Sequence, residues 1–280
     1  MKITDFAIAF LLIFICIAVP IDLKVATLGA IESKKVTYNN CLDNAVDDAV
    51  ISLMDYEEGS HSSFTLNKEL CVQQFFKSLA AGFAMSDQQS FQTLMDTYIP
   101  IILITDEDGF YLRYKHTYLD SDSEVNLIST WTEKKPYSYE EERYIISFTF
   151  SDYLKIYDKW SNTYEEGYYS DLRENYVDSQ IYERKSYEEI RQNSIVFSIE
   201  DAMKDYINHY NGIARQFGIT YRFYLPATSR DELERTIDHI GMFVLFQGYP
   251  YGLGTSDTYN RYAYGASRLY KKRISNLSLG

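Results

Sequence analysis

The stretch FAIAFLLIFICIAVPI, residues 6–21, decides how the chain is laid out. It contains no charged residue, and Asp5 and Asp22 bracket it. A membrane-spanning helix needs about 20 apolar residues, within a range of roughly 17–25, so this stretch is slightly short for a full span. Its uniformly apolar character nevertheless predicts a membrane anchor helix over residues 1–22, which we expect to be retained.

Two other interpretations of this stretch stay open. A buried core helix can be equally apolar, although so uniform a surface is unusual at the start of a soluble domain. A cleaved signal peptide would have only Met1 and Lys2 as its basic region, and the best small-residue site, at 28–30, lies well past the apolar stretch. Lysines on both sides leave the orientation ambiguous, and a Tyr-rich, Cys-poor composition favours an extracytoplasmic bulk.

The composition of the chain excludes several classes of protein. The 280 residues are 46% hydrophobic and 16% aromatic, and 27 basic against 40 acidic residues give a net charge of −13. This apolar content is too high for a disordered chain. The acidic balance is unlike the basic footprint of nucleic-acid-binding proteins, so we expect no nucleic-acid partner.

Helical periodicity continues beyond Asp22. Apolar residues recur at spacings of three and four, at Leu28, Ile31, Leu42, Ala45, Val46, Ala49, Val50, Leu53 and Met54. One helix over residues 4–56 would be roughly 80 Å long, and Pro20 should kink it. Further helices are predicted at 66–85 and 88–97, so residues 23–98 form a helical stalk and a helical hairpin.

This N-terminal layout resembles that of type IV pilin-like proteins, which include pseudopilins and the minor pilins of tight-adherence systems. The resemblance covers only the N-terminal helix: a short polar start, Asp5, the apolar stretch, Pro20 and the amphipathic extension. In the family, an acidic side chain pairs with the amino terminus of a neighbouring subunit, and the helices bundle into a filament core. The resemblance implies that Asp5, Phe6 and Pro20 are anchor and assembly residues. A plain one-helix anchor with a helical stalk explains the same residues.

Residues 99–280 are predicted to form an α+β head, with packed helices and a mainly antiparallel sheet of about five strands. The predicted strands are 99–105, 110–118, 144–150, 219–225, 242–246 and 259–270. A long helix is predicted at 182–217, ending at Gly218, and a short one at 229–239. Residues 120–142 are acidic and lack a long apolar run, which indicates a surface loop or an irregular hairpin.

No motif for catalysis, metal binding or cofactor binding stands out. The four histidines show no metal-ligand spacing, and no CxxC, G-x-S-x-G or Walker sequence occurs. The turn Asp106-Glu107-Asp108-Gly109 lacks the alternating ligands of an EF-hand, so we interpret it as a hairpin turn whose glycine can take a positive φ. We therefore predict no catalytic residue, no metal and no cofactor.

Cys41 and Cys71 are expected to be free, buried thiols. In a helical hairpin that turns near residue 61, Cys41 faces a residue near 81. Cys71 is then offset by about 15 Å along the helix, whereas a disulfide needs Cα atoms within about 7 Å. A disulfide between the two is the alternative if the first helix breaks.

Two segments are candidate partner-binding sites. Tyr249 and Tyr251 lie on the Gly-rich, Tyr-rich segment QGYPYGLGT, residues 247–255, where exposed tyrosines would offer contact area to a protein or a sugar. The alternative is that their rings pack on the domain. The second segment is basic and contains Arg268, Lys271, Lys272 and Arg273. It could dock on an acidic patch of a neighbouring copy, contact anionic lipid, or simply aid solubility.

These features predict a noncatalytic, membrane-anchored protein of the bacterial cell envelope. Its bulk would be extracytoplasmic, and it would act as a pilin-like minor subunit or assembly partner of a surface filament or secretion system. One alternative is an extracytoplasmic ligand-binding or sensory module on a single anchor. Another is an extracellular hydrolase with a site that no motif reveals.

Overall fold

The computed structural model of the chain describes residues 3–56, 64–227, 239–254 and 256–266. Its helices are α1 (Ile3–Ile51), α2 (Lys68–Gly82), α3 (Gln88–Tyr98), α4 (Tyr169–Leu172) and α5 (Arg184–Ile213). Short 3-10 helices, Arg173–Asn175 and Ala214–Phe217, follow α4 and α5. The strands are β1 (Met54–Tyr56), β2 (Phe64–Leu66), β3 (Ile101–Asp106), β4 (Gly109–Leu119), β5 (Val125–Trp131), β6 (Tyr137–Glu140), β7 (Tyr144–Phe148), β8 (Tyr153–Asp158), β9 (Thr163–Tyr168), β10 (Gly241–Pro250) and β11 (Thr258–Ala266).

Helix α1 has two contrasting ends. It runs for 49 residues, roughly 70 Å, and continues through Pro20. From Phe10 to Ala26 every side chain except half-buried Ala18 is exposed. The helix is long and apolar enough to cross a membrane, although a signal sequence would meet the same criteria, and none of its most apolar part is buried in the protein. Its last three turns, in contrast, enter the hydrophobic core.

The helical hairpin is part of the core of the head. One face of α1 and one face of α2 are fully buried against each other and against the strands β10 and β11, through Leu42, Ala45, Val46, Ala49, Val50, Cys71, Val72, Phe75, Phe76 and Leu79. Gly265 of β11 makes this approach possible, because a Cβ there would lie 2.9 Å from Cγ1 of Val46. The predicted boundary at residue 98 stays a prediction, but helices before it and strands after it share one core.

The register of the hairpin confirms the expectation for the cysteines. Cys41 lies opposite Gly82, where a Cβ would stand 2.9 Å from its Sγ. Cys71 lies elsewhere, with its Sγ 3.6 Å from Sδ of Met242. Both thiols are free and buried.

The head is α+β with two main antiparallel sheets. The five-stranded sheet has the order β11-β10-β3-β4-β5, which confirms the predicted antiparallel sheet. The four-stranded sheet has the order β6-β7-β8-β9, and the sequence predicted only its strand β7. Helix α5 contacts strands of both sheets and so holds them together.

The two sheets also meet directly at the turn between β3 and β4. Phe110 and Lys135 exchange backbone hydrogen bonds of 2.9 and 2.8 Å, and the Tyr137 hydroxyl donates to the carbonyls of Asp106 and Gly109. The turn is a hairpin turn, as predicted, but the reason for its glycine differs. Gly109 does not have a positive φ; it is needed because a Cβ would lie 2.4 Å from the Lys135 carbonyl oxygen.

The prediction of a strand at 219–225 was wrong. The segment is irregular, because side-chain amides bind its backbone in place of a neighbouring strand. Asn211 of α5 binds both N–H and C=O of Phe223, each at 2.8 Å. Gln247 of β10 binds the same two groups of Tyr224, at 3.0 and 2.9 Å.

Several other predicted elements differ from those of the structure in their boundaries. Residues 120–142 form neither a surface loop nor a hairpin of their own. They contain β5, which pairs with the edge of β4, and β6, which pairs with the edge of β7, although both strands have little apolar alternation. Strand β10 extends to Pro250, so the segment 247–255 begins inside a strand. Gly218 ends the helical region with a φ of 75°, as predicted. Most of the predicted helix at 229–239 and the last residues of the strand 259–270 lie outside the described residues.

A buried charge cluster joins α3 to the five-stranded sheet. Asp96 accepts from Arg113 at 2.7 Å and from the Ser129 hydroxyl at 2.8 Å, and it pairs with Lys115, which is 2% exposed. Burial alone would raise the pKa of Asp96, but its two cationic neighbours lower it to about 2. Burial lowers the pKa of Lys115 to about 8, because one carboxylate serves two cations and Arg113 repels Lys115.

We predict that Gly265→Ala destabilises the protein by about 1–3 kcal/mol, because the methyl group would overlap Val46 and Val50. The matched control is Gly212→Ala near the end of α5, where a Cβ meets nothing within 4 Å. It should stabilise by up to about 1 kcal/mol through helix propensity. Thermal unfolding of the full chain in mild detergent measures both, and a similar effect of the two substitutions would contradict the close packing.

We predict that Asp96→Asn destabilises the protein by about 3 kcal/mol at neutral pH, because buried Lys115 and half-buried Arg113 would lose their carboxylate. The carboxyl has a folded-state pKa of about 2, below its ordinary value of 3.8. Its contribution is therefore fully present above the ordinary value and is lost as the pH falls towards 2. The difference in unfolding free energy between wild type and variant should shrink over this window; a difference independent of pH would contradict the assignment.

Candidate functional site

The predicted anchor residues all lie in the uncovered half of α1. Phe6 is 63% exposed and Pro20 is exposed. Asp5 lies within the helix, but its side chain is outside the described residues. The helix continues through Pro20, and the predicted kink stays a prediction.

Tyr249 and Tyr251 pack against α1 and do not form a pair of exposed rings. Tyr251 is buried and Tyr249 is half-buried, so the expectation of exposed rings was wrong for Tyr251. The ring of Tyr38 lies parallel to that of Tyr251 with centroids 5.9 Å apart, stacks on Phe83 at 4.8 Å, and meets Tyr249 edge-on at 5.6 Å. The alternative of rings packed on the domain is therefore what the structure has. The partner-binding role of these tyrosines stays a prediction.

Polar contacts fix the same helix–head junction, which we define as the contact of α1 residues 34–43 with residues 249–261. Lys34 Nζ donates to the Tyr251 carbonyl at 2.6 Å. The Tyr259 hydroxyl donates to Asn39 Oδ1 at 2.9 Å. Further along the helix, Arg261 and Asp43 form an ion pair at 2.9 Å. Burial raises the pKa of Tyr38, so this ring stays neutral at physiological pH. The junction positions the head rigidly on the helix.

A cleft of about 500 Å³ lies between the two sheets, beside the turn of β3 and β4. We call it the inter-sheet cleft. Its lining comes from that turn, from the connection of β7 to β8, and from the outward face of β8 and β9: Asp106, Glu107, Asp108, Thr149, Ser151, Tyr153, Lys155, Glu166 and Tyr168. The rings of Tyr153 and Tyr168 meet edge to face at 5.5 Å and form one wall.

The carboxylates of the cleft are unequally neutralised. Lys134 pairs with Asp106 at 2.7 Å and also with Asp108. Lys155 stands 3.8 Å from Asp108. Burial and the nearby charges of Asp106 and Asp108 raise the pKa of Glu107. The cleft can therefore accept a positive charge more readily than a negative one.

Sequence reasoning missed this cleft because its residues come from three separated segments. Of its residues, the sequence singled out only Asp106, Glu107 and Asp108, which were interpreted as part of a hairpin turn. Among the residues that the structure describes, no group of three or more His, Cys, Asp or Glu side chains could hold a metal ion. The basic residues Arg268, Lys271, Lys272 and Arg273 lie outside the described residues.

We predict that Tyr38→Ala destabilises the protein by about 2–4 kcal/mol, because it removes a ring that contacts Phe83, Tyr249, Tyr251 and Tyr259. The control is Tyr118→Ala on β4, where the side chain is 43% exposed and the change should stay within about 0.5 kcal/mol. Thermal unfolding of the full chain in detergent compares them. If Tyr38→Ala is as mild as its control, the junction does not hold the helix to the head.

We find no match when the chain is compared with models of protein families, with curated proteins or with solved structures. Three features of the described residues bear on the function of the chain. They are the uncovered apolar half of α1, the helix–head junction and the inter-sheet cleft.

Proposed function

We propose that the protein is a noncatalytic, single-anchor membrane protein of the cell envelope that joins a larger assembly through α1. One observation carries this proposal. A single unbroken helix is apolar and uncovered at one end and is part of the hydrophobic core of the head at the other.

The uncovered half of α1 needs a nonaqueous partner. Large apolar side chains such as Phe10, Phe14 and Leu23 are each more than half exposed. An apolar surface of this extent, continuous around the helix, is unfavourable in water and is typical of a membrane span or of an interface with other helices. A bilayer, with neighbouring helices inside it, would cover this surface on all sides.

The connection between anchor and head supports a structural role. Residues 22–33 continue the helix beyond the apolar stretch for about 18 Å before the helix–head junction begins. Because no loop interrupts this length, a rotation or shift of the helix would be transmitted directly to the head. A rigid coupling of this kind suits a subunit whose head must be placed at a fixed height and angle in an assembly.

The pilin-like resemblance specifies the proposal further. In that version Asp5 would pair with the amino terminus of a neighbouring subunit, and the apolar halves of several α1 helices would bundle in the membrane. The bulk of the chain would be extracytoplasmic, and the partners would be other subunits of a surface filament or secretion system.

We predict that Phe10→Lys with Phe14→Lys moves the protein from the membrane fraction to the soluble or aggregated fraction. Each lysine near the centre of a span costs about 2.5–3.5 kcal/mol of insertion free energy. The control is Val36→Lys, which changes an exposed apolar residue of the same helix beyond the apolar stretch and should leave membrane association unchanged. Carbonate extraction followed by immunoblotting measures the distribution.

Intact mass of the membrane-bound protein separates the anchor from a signal peptide. A retained anchor gives a protein that still contains residues 6–21. Loss of these residues from the mature protein would overturn the anchor. If the intact, membrane-bound chain purifies only as a monomer, and cross-linking in whole cells captures no other envelope protein, the assembly role is wrong although the anchor stands.

A further inference from the structure

We propose that the inter-sheet cleft is the docking site of the chain's own basic segment, residues 268–273. The cleft belongs to the head and lies outside the anchor and the helix–head junction, so this inference is independent of the proposed function. Three features carry it: the chemistry of the cleft wall, its unbalanced charge, and the place where the chain leaves β11.

The wall of the cleft suits ammonium and guanidinium groups. Tyr153 and Tyr168 present ring surfaces, and Tyr168 is 56% exposed, so a cation can approach the face of a ring. Thr149 and Ser151 add hydroxyl oxygens that can accept hydrogen bonds. At about 500 Å³ the cleft has room for one or two long basic side chains.

The cleft contains more carboxylates than basic side chains. It contains the carboxylates of Asp106, Glu107, Asp108 and Glu166, and the described basic side chains that pair within it are Lys134 and Lys155. Both lysines are taken by Asp106 and Asp108. Among the described residues, Glu107 and Glu166 form no ion pair with a basic side chain, and two further positive charges would balance the site.

The register of the five-stranded sheet places the end of β11 close to this cleft. Ala266, the last residue of β11, pairs with Gly241, which pairs on its other side with Thr105. Strand neighbours are about 4.8 Å apart, so Ala266 lies about 10 Å from the residue that precedes Asp106. Lys271 is five residues beyond Ala266, a reach of at most about 17 Å. The segment RLYKKR, residues 268–273, has four basic residues, and Arg268 and Lys271 lie within these five residues.

The first test is cross-linking of the full chain in neutral detergent with a carbodiimide, which couples a carboxylate directly to a lysine amine. An equal mixture of unlabelled and ¹⁵N-labelled protein distinguishes coupling within a chain from coupling between chains. We expect Lys271 or Lys272 to be coupled to Glu107 or Glu166 of the same chain. The coupling should disappear in the variant Glu107→Gln with Glu166→Gln and at high salt concentration.

The second readout is the rate of tryptic cleavage within residues 268–273. Docking should slow this cleavage, and the cleft variant should restore it several-fold. The matched control is Glu142→Gln with Glu189→Gln, which removes two exposed carboxylates outside the cleft and leaves the net charge equal to that of the cleft variant. Its cleavage rate should equal that of the wild type. Far-UV circular dichroism verifies that both variants are folded.

Each other outcome overturns the proposal in a defined way. Coupling only between chains would make a second copy the occupant of the cleft. Protection of the segment only when anionic phospholipid vesicles are added would make a lipid surface its partner. Coupling of the lysines to carboxylates outside the cleft, or equal cleavage of wild type and cleft variant, would show that the segment does not dock there.

Discussion

Along two turns of α1, Val46 and Val50 lie against Gly265 of β11 at a distance that leaves no room for a methyl group. This contact lets the helix sink onto the five-stranded sheet, with α2 closing the other side. The ion pair of Asp43 with Arg261 and the hydrogen bond from Tyr259 to Asn39 extend the same interface towards the uncovered end of the helix. The contribution of α1 to the hydrophobic core of the head depends on this close approach, which places the last turns of the helix within the core.

The consequence is that α1 cannot be treated as a tail attached to an independent head. A helix that supplies Leu42, Ala45 and Val46 to the core folds together with the strands it covers. The uncovered half of the helix therefore has a fixed direction relative to the head. Packing of the last turns of α1 sets this direction, instead of a linker. Function through an assembly would use this fixed geometry.

The sequence predicted the features that local periodicity encodes, and it missed those that depend on distant partners. The apolar faces of α1 and α2 repeat at helical spacing, so both helices and the offset of Cys41 from Cys71 could be predicted. Strand β9 escaped prediction because TYEEGY, residues 163–168, has no apolar alternation and is held by its ladder with β8. The segment ITYRFYL, residues 219–225, alternates like a strand, but the amides of Asn211 and Gln247 bind its backbone first. The inter-sheet cleft could not be predicted either, because its lining residues are distant in sequence and come together only when the two sheets meet.

The separation of the two inner cysteines also determines how the chain responds to its redox surroundings. Burial raises the pKa of Cys71 to about 12 and that of Cys41 above its ordinary value, so neither forms the thiolate that attacks disulfides or oxidants. The helical hairpin is stabilised by apolar packing and by a hydrogen bond from Ser78 Oγ to Asp48 Oδ2, without a disulfide. Cys41 and Cys71 therefore add no covalent link when the chain passes from a reducing to an oxidising compartment. Of the three cysteines, Cys16 is the exposed one, and it lies in the apolar stretch that a bilayer would shield. The stability of the described fold therefore does not depend on a disulfide.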